Sequence, residues 1–321
     1  MQYAPRALLA TAILLIWNVT PAARAQSGQT PKLTQAPVPA NTAPLPSKDQ
    51  PYVYRKVNDK LYIIAEIHQP FPKNEVTNPP HTQQMGLVIG NKRAALIDTG
   101  LGLTDLRKYV SQFTSLPIIV LNTHGHVDHV GANQLFDMSY VAKEDEKAML
   151  NANREERLKG YKQFMEGNIE MIEFAEKNMV PDKPFQYGFI KDGDKIDLGG
   201  VEIEVVAFPG HSPGSVAFID SRDNVAFCGD SILFRVLLQN REKLAQYLKS
   251  LDNFAEKTKG VDTIINGHQW EPFRRSDIDE ERALAVAVLN RTIKGTPMQI
   301  LFATRTVYVL GTKRIGLSDD K

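Results

Sequence analysis

Residues 123–129 read Thr123-His124-Gly125-His126-Val127-Asp128-His129, placing three imidazoles and a carboxylate within positions 124–129. Neutral imidazole and carboxylate form the donor set preferred by borderline and hard divalent ions such as zinc, manganese or iron. The run Pro117 to Asn122 just upstream reads as a buried strand, and a short loop leaving a rigid strand can aim such side chains at one point. Three further candidates recur in a common setting, a strand followed by a small residue and a turn. His211 lies in Phe208-Pro209-Gly210-His211-Ser212-Pro213-Gly214, Asp230 in Phe227-Cys228-Gly229-Asp230, and His268 in Ile265-Asn266-Gly267-His268. The glycines let the backbone bend close to a metal centre where a Cβ would crowd the ligands. Any one of these histidines alone reads as a hydrogen-bonded structural residue, but together they read as one site.

The elements that must position these residues are short. Strand-like runs cover Tyr52 to Val57, Leu61 to Ile67, Met85 to Ile89 and Ala94 to Asp98. Asn58-Asp59 and Gly90-Asn91 supply turns that predict two hairpins. A helix is predicted over Thr104 to Phe113 with Thr104 as its cap. Residues 143 to 180 carry apolar side chains at helical spacing and predict one or two amphipathic helices. Strands follow at Lys195 to Leu198, Val201 to Phe208, Ser215 to Asp220 and Asn224 to Cys228. Then come a helix at Arg241 to Lys257, a strand at Thr263 to Ile265, a helix at Asp277 to Ile293 and a last strand near Gln299 to Leu310. Two β-then-α halves without a long repeat favour two packed sheets flanked by helices.

The order His124-x-His126-x-Asp128-His129, then His211, Asp230 and His268, resembles the motif series of the metallo-β-lactamase superfamily, with Leu96-Ile97-Asp98-Thr99-Gly100 matching its first motif. The resemblance covers the chain from about Tyr52 to its end. It implies a four-layer αββα sandwich, with the site at one edge between the sheets and a helical insertion between the second and third motifs. It implies two divalent ions, zinc first with iron or manganese as alternatives. His124, His126 and His211 would hold one, Asp128, His129 and His268 the other, and Asp230 would bridge them. Asp98 would lie beneath the metal loop and orient it by hydrogen bonds. Two cations sharing a water lower its pKa from about 15.7 towards about 7, giving a nucleophile without serine or cysteine. Asp128 would be the catalytic residue, aligning that nucleophile. The implied activity is hydrolysis of an ester, lactone, thioester or amide bond in a small molecule, β-lactams included. The carboxylate of Asp230, where the β-lactamases of this fold carry cysteine or serine, argues against β-lactams as the main substrate and resembles the glyoxalase II thioesterases and lactonases. Two other readings stay open: an iron-dependent oxidoreductase resembling persulfide dioxygenases, and a non-catalytic protein stabilised by zinc.

Composition narrows the partners. A formal net charge of +1 leaves no field to gather nucleic acid, and no basic module is evident. Arg6, the apolar run Ala7 to Val19 and the small-x-small pattern Ala23-Arg24-Ala25 read as a signal peptide over residues 1–25, predicting a periplasmic or secreted protein. That apolar run is shorter than the roughly 20 residues that span a bilayer, so no stable membrane insertion is expected after cleavage. Residues 26–51, with prolines at 31, 37, 39, 44, 46 and 51, read as a disordered linker, and 52–321 as the metallo-β-lactamase-fold domain. The only cysteine, Cys228, excludes an intrachain disulfide and is assigned to a strand core. His68 and His81 fall in a Pro-rich stretch, Gln69 to Gln84, read as a flap, and neither is expected to be a ligand. The expected partner is a small-molecule substrate; a homodimer is left open.

Overall fold

A computed structural model describes residues 50–67, 82–165, 168–300 and 303–318. The signal-peptide reading, nearly all of the linker, His68 and His81 lie outside the described residues. In chain order the first half contains β1 (Tyr52–Asn58), β2 (Leu61–Ile67), β3 (Thr82–Ile89), β4 (Ala94–Ile97), α1 (Leu106–Val110), β5 (Ile118–Leu121), β6 (Ser139–Ala142), α2 (Glu146–Asn151), α3 (Arg154–Phe164), α4 (Ile169–Asn178) and β7 (Tyr187–Ile190). The second half contains β8 (Lys195–Asp197), β9 (Glu202–Ala207), β10 (Val216–Asp220), β11 (Val225–Gly229), β12 (Arg235–Leu238), α5 (Arg241–Lys257), β13 (Thr263–Asn266), α6 (Arg275–Leu289), β14 (Thr296–Ile300), β15 (Ala303–Leu310) and β16 (Lys313–Leu317).

Strands β1 to β7 form one seven-stranded sheet in sequence order, and a five-stranded sheet runs β13-β11-β10-β9-β8. Side-chain alternation explains how they stack. On β4 and β5, Ala95, Ile97, Ile119 and Leu121 meet Val216, Phe218, Val225 and Phe227 of the second sheet in one buried cluster. Their neighbours Ala94, Leu96, Ile118 and Val120 point the other way, against Leu106, Tyr109 and Val110 of α1. On the second sheet, Ala217, Ile219, Ala226 and Cys228 turn outward to Leu244, Tyr247, Leu251 and Phe254 of α5 and Leu284 and Val288 of α6. Period-two strands buried on both faces are what four layers require, since each face must be covered. This is the αββα sandwich, and full burial of each Val, Leu, Ile or Phe side chain in it contributes roughly 1.5–3 kcal/mol.

Both predicted hairpins form, β1 with β2 and β3 with β4. Several boundaries differ for identifiable reasons. Asp105 caps α1 by accepting from Lys108 N at 2.9 Å. The predicted cap, Thr104, instead offers its carbonyl to the Tyr52 hydroxyl. The insertion holds three α-helices, because Asn153 and Asn168 cap new ones through Glu156 N and Met171 N. Helix α6 starts before Asp277, whose carboxylate reaches back to Arg274 N. The predicted last strand resolves into β14 and β15, paired antiparallel, and β16 returns beside β15. With β12 these make a four-stranded sheet that sequence patterning did not separate from the main two. Part of the stretch read as a flap is regular structure, since Thr82, Gln83 and Gln84 open β3. Among the described residues no helix is long and apolar enough to cross a membrane.

Candidate metal centre

All seven side chains singled out by type and spacing converge. Three sets of donor atoms lie mutually within 4.8 Å: His124 with His126 and His211, His124 with His129 and Asp230, and Asp128 with His129 and His268. The His124–His129 loop leaves β5 of the first sheet. His211 follows β9, Asp230 follows β11 and His268 follows β13, all in the second sheet. The site therefore straddles the seam of the sandwich.

The nitrogen cluster is tight. His126 Nδ1 lies 3.0 Å from His124 Nε2 and 2.9 Å from His211 Nε2. Two nitrogens on one tetrahedral zinc ion at about 2.0 Å would stand about 3.3 Å apart, so the spacing suits a shared cation. Asp230 reaches both sides of the cluster: Oδ2 is 3.0 Å from His268 Nε2 and 3.5 Å from His211 Nε2, and Oδ1 is 3.3 Å from His129 Nε2. Asp128 Oδ2 lies 3.6 Å from His268 Nε2 and 3.9 Å from His129 Nε2. His129 Nε2 and Asp230 Oδ1 are both buried with no hydrogen-bond partner other than each other, at 3.3 Å. Buried polar atoms are normally satisfied, so this pair fits donors that answer to a cation.

The charges separate in the same way. Burial, with the neighbouring imidazoles, holds His124 well below the usual histidine range. Burial also lowers His211, to about 4, against the pull of Asp230. At His268 burial opposes protonation, but Asp230 and Asp128 outweigh it and push the ring up to about 9. His129 is likewise raised, because Asp230, Asp128 and Asp98 overcome its burial. Asp230 is held well below the carboxylate range despite burial, through His268 and His129. Two carboxylates thus draw positive charge to one side of the cluster, and neutral nitrogen donors occupy the other. Nitrogen and oxygen donors arranged this way fit divalent cations.

Supporting contacts fix the donors. Asp98 Oδ1 accepts from Thr123 N at 2.8 Å, and Oδ2 accepts from the Thr123 hydroxyl at 2.7 Å and faces His129 Nδ1 at 2.9 Å. That bond turns Nε2 of His129 inward, the role the resemblance implied for Asp98. His211 Nδ1 is held by the Leu237 carbonyl at 3.1 Å, so its Nε2 faces the cluster. Asn266 Oδ1 accepts from His268 N and Gln269 N, folding that turn. Gly267 is required by close approach, since a Cβ there would stand 2.3 Å from Asp230 Oδ1. Cys228 is buried in the outer core, and burial pushes its thiol up to about 12, so it supplies no donor.

Two contributors were not singled out by sequence reasoning. Asp145 is buried, and its carboxylate accepts from Gly125 N at 2.9 Å, the Ser212 hydroxyl at 2.6 Å and Gly214 N at 2.8 Å. It ties the metal loop to the His211 turn. Gln83 donates through Nε2 to Asp128 Oδ2 at 3.0 Å. Asp145 sits in the acidic run Lys143-Glu144-Asp145-Glu146, which looks like solvated helix surface, and Gln83 ends a Pro-rich stretch; neither carries a local signal.

A seam-edge site of this composition on an αββα sandwich defines a metal-binding protein of the metallo-β-lactamase type. A family model described as the metallo-beta-lactamase superfamily matches residues 78–268, and the chain belongs to that superfamily. It is similar to hydroxyacylglutathione hydrolase GloC from Haemophilus influenzae, at 30% identity over 148 residues, 45% of this chain and 63% of that protein. The match to this relative thus spans less than two thirds of its length. The acyl-coenzyme A thioesterase MBLAC2 of Homo sapiens is 25% identical over 247 residues, covering 68% of this chain and 81% of the relative. Among solved structures, a metallo-beta-lactamase from Pontibacter korlensis shares the fold at a TM-score of 0.50 and 16% identity, over 73% of this chain and 98% of that one.

Proposed function

We propose that the chain is a dinuclear metal-dependent hydrolase of small thioesters, with His124, His126 and His211 holding one cation, Asp128, His129 and His268 the other, and Asp230 shared between them. The observation that carries this reading is the Asp230 carboxylate, whose two oxygens face histidines of both sets. The bond class follows the relatives, of which one is named for a glutathione thioester and another for acyl-coenzyme A. Divalent cations bound at such a site supply Lewis acidity, polarising a carbonyl and making water acidic enough to attack near neutral pH.

The chain's own groups divide the remaining work. The side chain of Asp128 is 26% exposed and that of Asp230 is 8% exposed. Asp128 is therefore the carboxylate that meets substrate and solvent. It is ionised, because His129 and His268 lower its pKa against the effect of burial. Its Oδ2 accepts from Gln83 and faces His268 and His129, which leaves Oδ1 to accept and pass on the proton of the attacking water. Asp230 stays deep in the seam and holds the histidines.

The reading is tested with protein purified without added metal and then titrated with zinc. Two equivalents should bind, acyl thioesters should turn over, and nitrocefin should not. Asp128→Asn should lower kcat by about 10² to 10⁴ when measured at saturating zinc, and should weaken binding of the second equivalent. Binding of a single equivalent, or turnover of nitrocefin without any thioester, would overturn it.

A further inference from the structure

Strand β12 begins shortly after Asp230, at Arg235, and pairs in parallel with β16 so that Arg235 stands opposite Arg314. Like charges directly opposite across strands are destabilising, so such a pair ordinarily has carboxylates nearby. Among the described residues neither arginine joins an ion pair. Arg314 donates to the Thr312 carbonyl and lies over the Phe234 ring at 4.3 Å. Arg235 Nε is buried with no acceptor. Burial first, and then the Arg314 charge, lower the pKa of Arg235. Phe234, covered on one side by Arg314, is itself 41% exposed.

Position ties this group to the metal cluster. Phe234 N donates to Gln269 Oε1 at 3.2 Å, next to His268, and the Leu237 carbonyl holds His211 Nδ1. Arg235 and Leu237 lie on the same face of β12, two residues or roughly 7 Å apart. Val236 and Leu238 turn the other way into the core. Arg235 thus lies on β12 between the points where that strand meets two of the histidine turns, with Arg314 beside it on β16.

We infer that Arg235 and Arg314, with the ring of Phe234, form a subsite for an anionic group, carboxylate or phosphate, that the substrate carries away from its scissile bond. A guanidinium pair suits either anion, and an anion relieves the repulsion the protein leaves uncompensated. The inference deepens the thioester reading and rests on it only for where the scissile bond lies. Glutathione would present carboxylates here, and coenzyme A phosphates.

The test is calorimetric binding of S-methylglutathione and of desulfo-coenzyme A, neither with a free thiol, to the zinc-loaded full chain. The wild type should bind at least one of them. Arg235→Gln and Arg314→Gln should each weaken binding about tenfold or more, and Arg235→Lys less. Preference for S-methylglutathione identifies a carboxylate, and preference for desulfo-coenzyme A a phosphate. Arg314→Gln and Phe234→Ala alter partly exposed side chains and keep the test available if Arg235→Gln does not fold. No binding by the wild type, or equal binding by the wild type and folded variants, overturns the subsite. If thioesters are not hydrolysed but the arginine variants lose binding, the reaction class falls and the subsite stands. If thioesters are hydrolysed and the variants bind as the wild type does, the reaction class stands and the subsite falls.

Discussion

Replacing Asp145 should damage metal binding although Asp145 is not itself among the proposed ligands. Its carboxylate takes three hydrogen bonds, from the peptide between His124 and His126, from the Ser212 hydroxyl and from Gly214 N. In Asp145→Ala the hydroxyl retains Ser215 Oγ at 2.7 Å, but two buried peptide N–H groups lose their acceptor. At about 1–3 kcal/mol for each orphaned donor, the loss is roughly 2–6 kcal/mol. That is a large part of the roughly 5–15 kcal/mol typical of a folded domain, so the variant should fold with a much lower melting temperature. Because the loops it tethers carry His124, His126 and His211, zinc affinity should also fall about 10- to 100-fold. Asp145→Asn separates the two effects. Its single acceptor oxygen, placed at Oδ2, keeps Gly125 N and Ser212 and gives up only Gly214 N, so it should lose about 1–3 kcal/mol. Thermal unfolding and competition with a chromophoric chelator measure both quantities. An Ala variant that melts like the wild type and binds zinc with unchanged affinity would refute the reasoning.

Other outcomes follow from the same geometry. Asp98→Asn cannot accept at both oxygens, so zinc affinity should drop about 10- to 100-fold while the fold persists, as read by the same competition assay. Arg157 on α3 is buried and donates to the carbonyls of Leu101, Gly131 and Val180; Arg157→Met should cost about 3 kcal/mol or more in a urea titration. Glu281 on α6 is buried, and desolvation raises its carboxyl to about 8 despite Lys313. A carboxyl raised in the folded state holds its proton there, so its contribution is full below about 4.5 and is lost as pH climbs through about 8. Glu281→Gln should therefore raise stability by a few kcal/mol at about pH 8.5 and by little at about pH 5, measured by chemical denaturation at both.

The seven donors were legible because each stands just past a strand, where residue type and a neighbouring glycine carry the signal. Two packed sheets flanked by helices were legible too, from the succession of strand and helix runs, while the four-layer order came from the family resemblance. What the residue pattern could not carry depends on distant partners. Asp145 looks like any acid of a charged helix until Gly125 and Gly214 close on it. Strand β12 has only four residues, and nothing local distinguishes it from the loop after Asp230 until β16 pairs with it. Arg235 and Arg314 are far apart in the chain, and only that pairing makes them neighbours.

Each of the three donor sets takes two members from the loop after β5 and a third from a turn of the second sheet. No partial chain emerging from the ribosome can complete any set before residue 211, or all of them before residue 268. The first set can thus close only once the chain has run through β9 into its turn, and the last only once β13 has joined the second sheet.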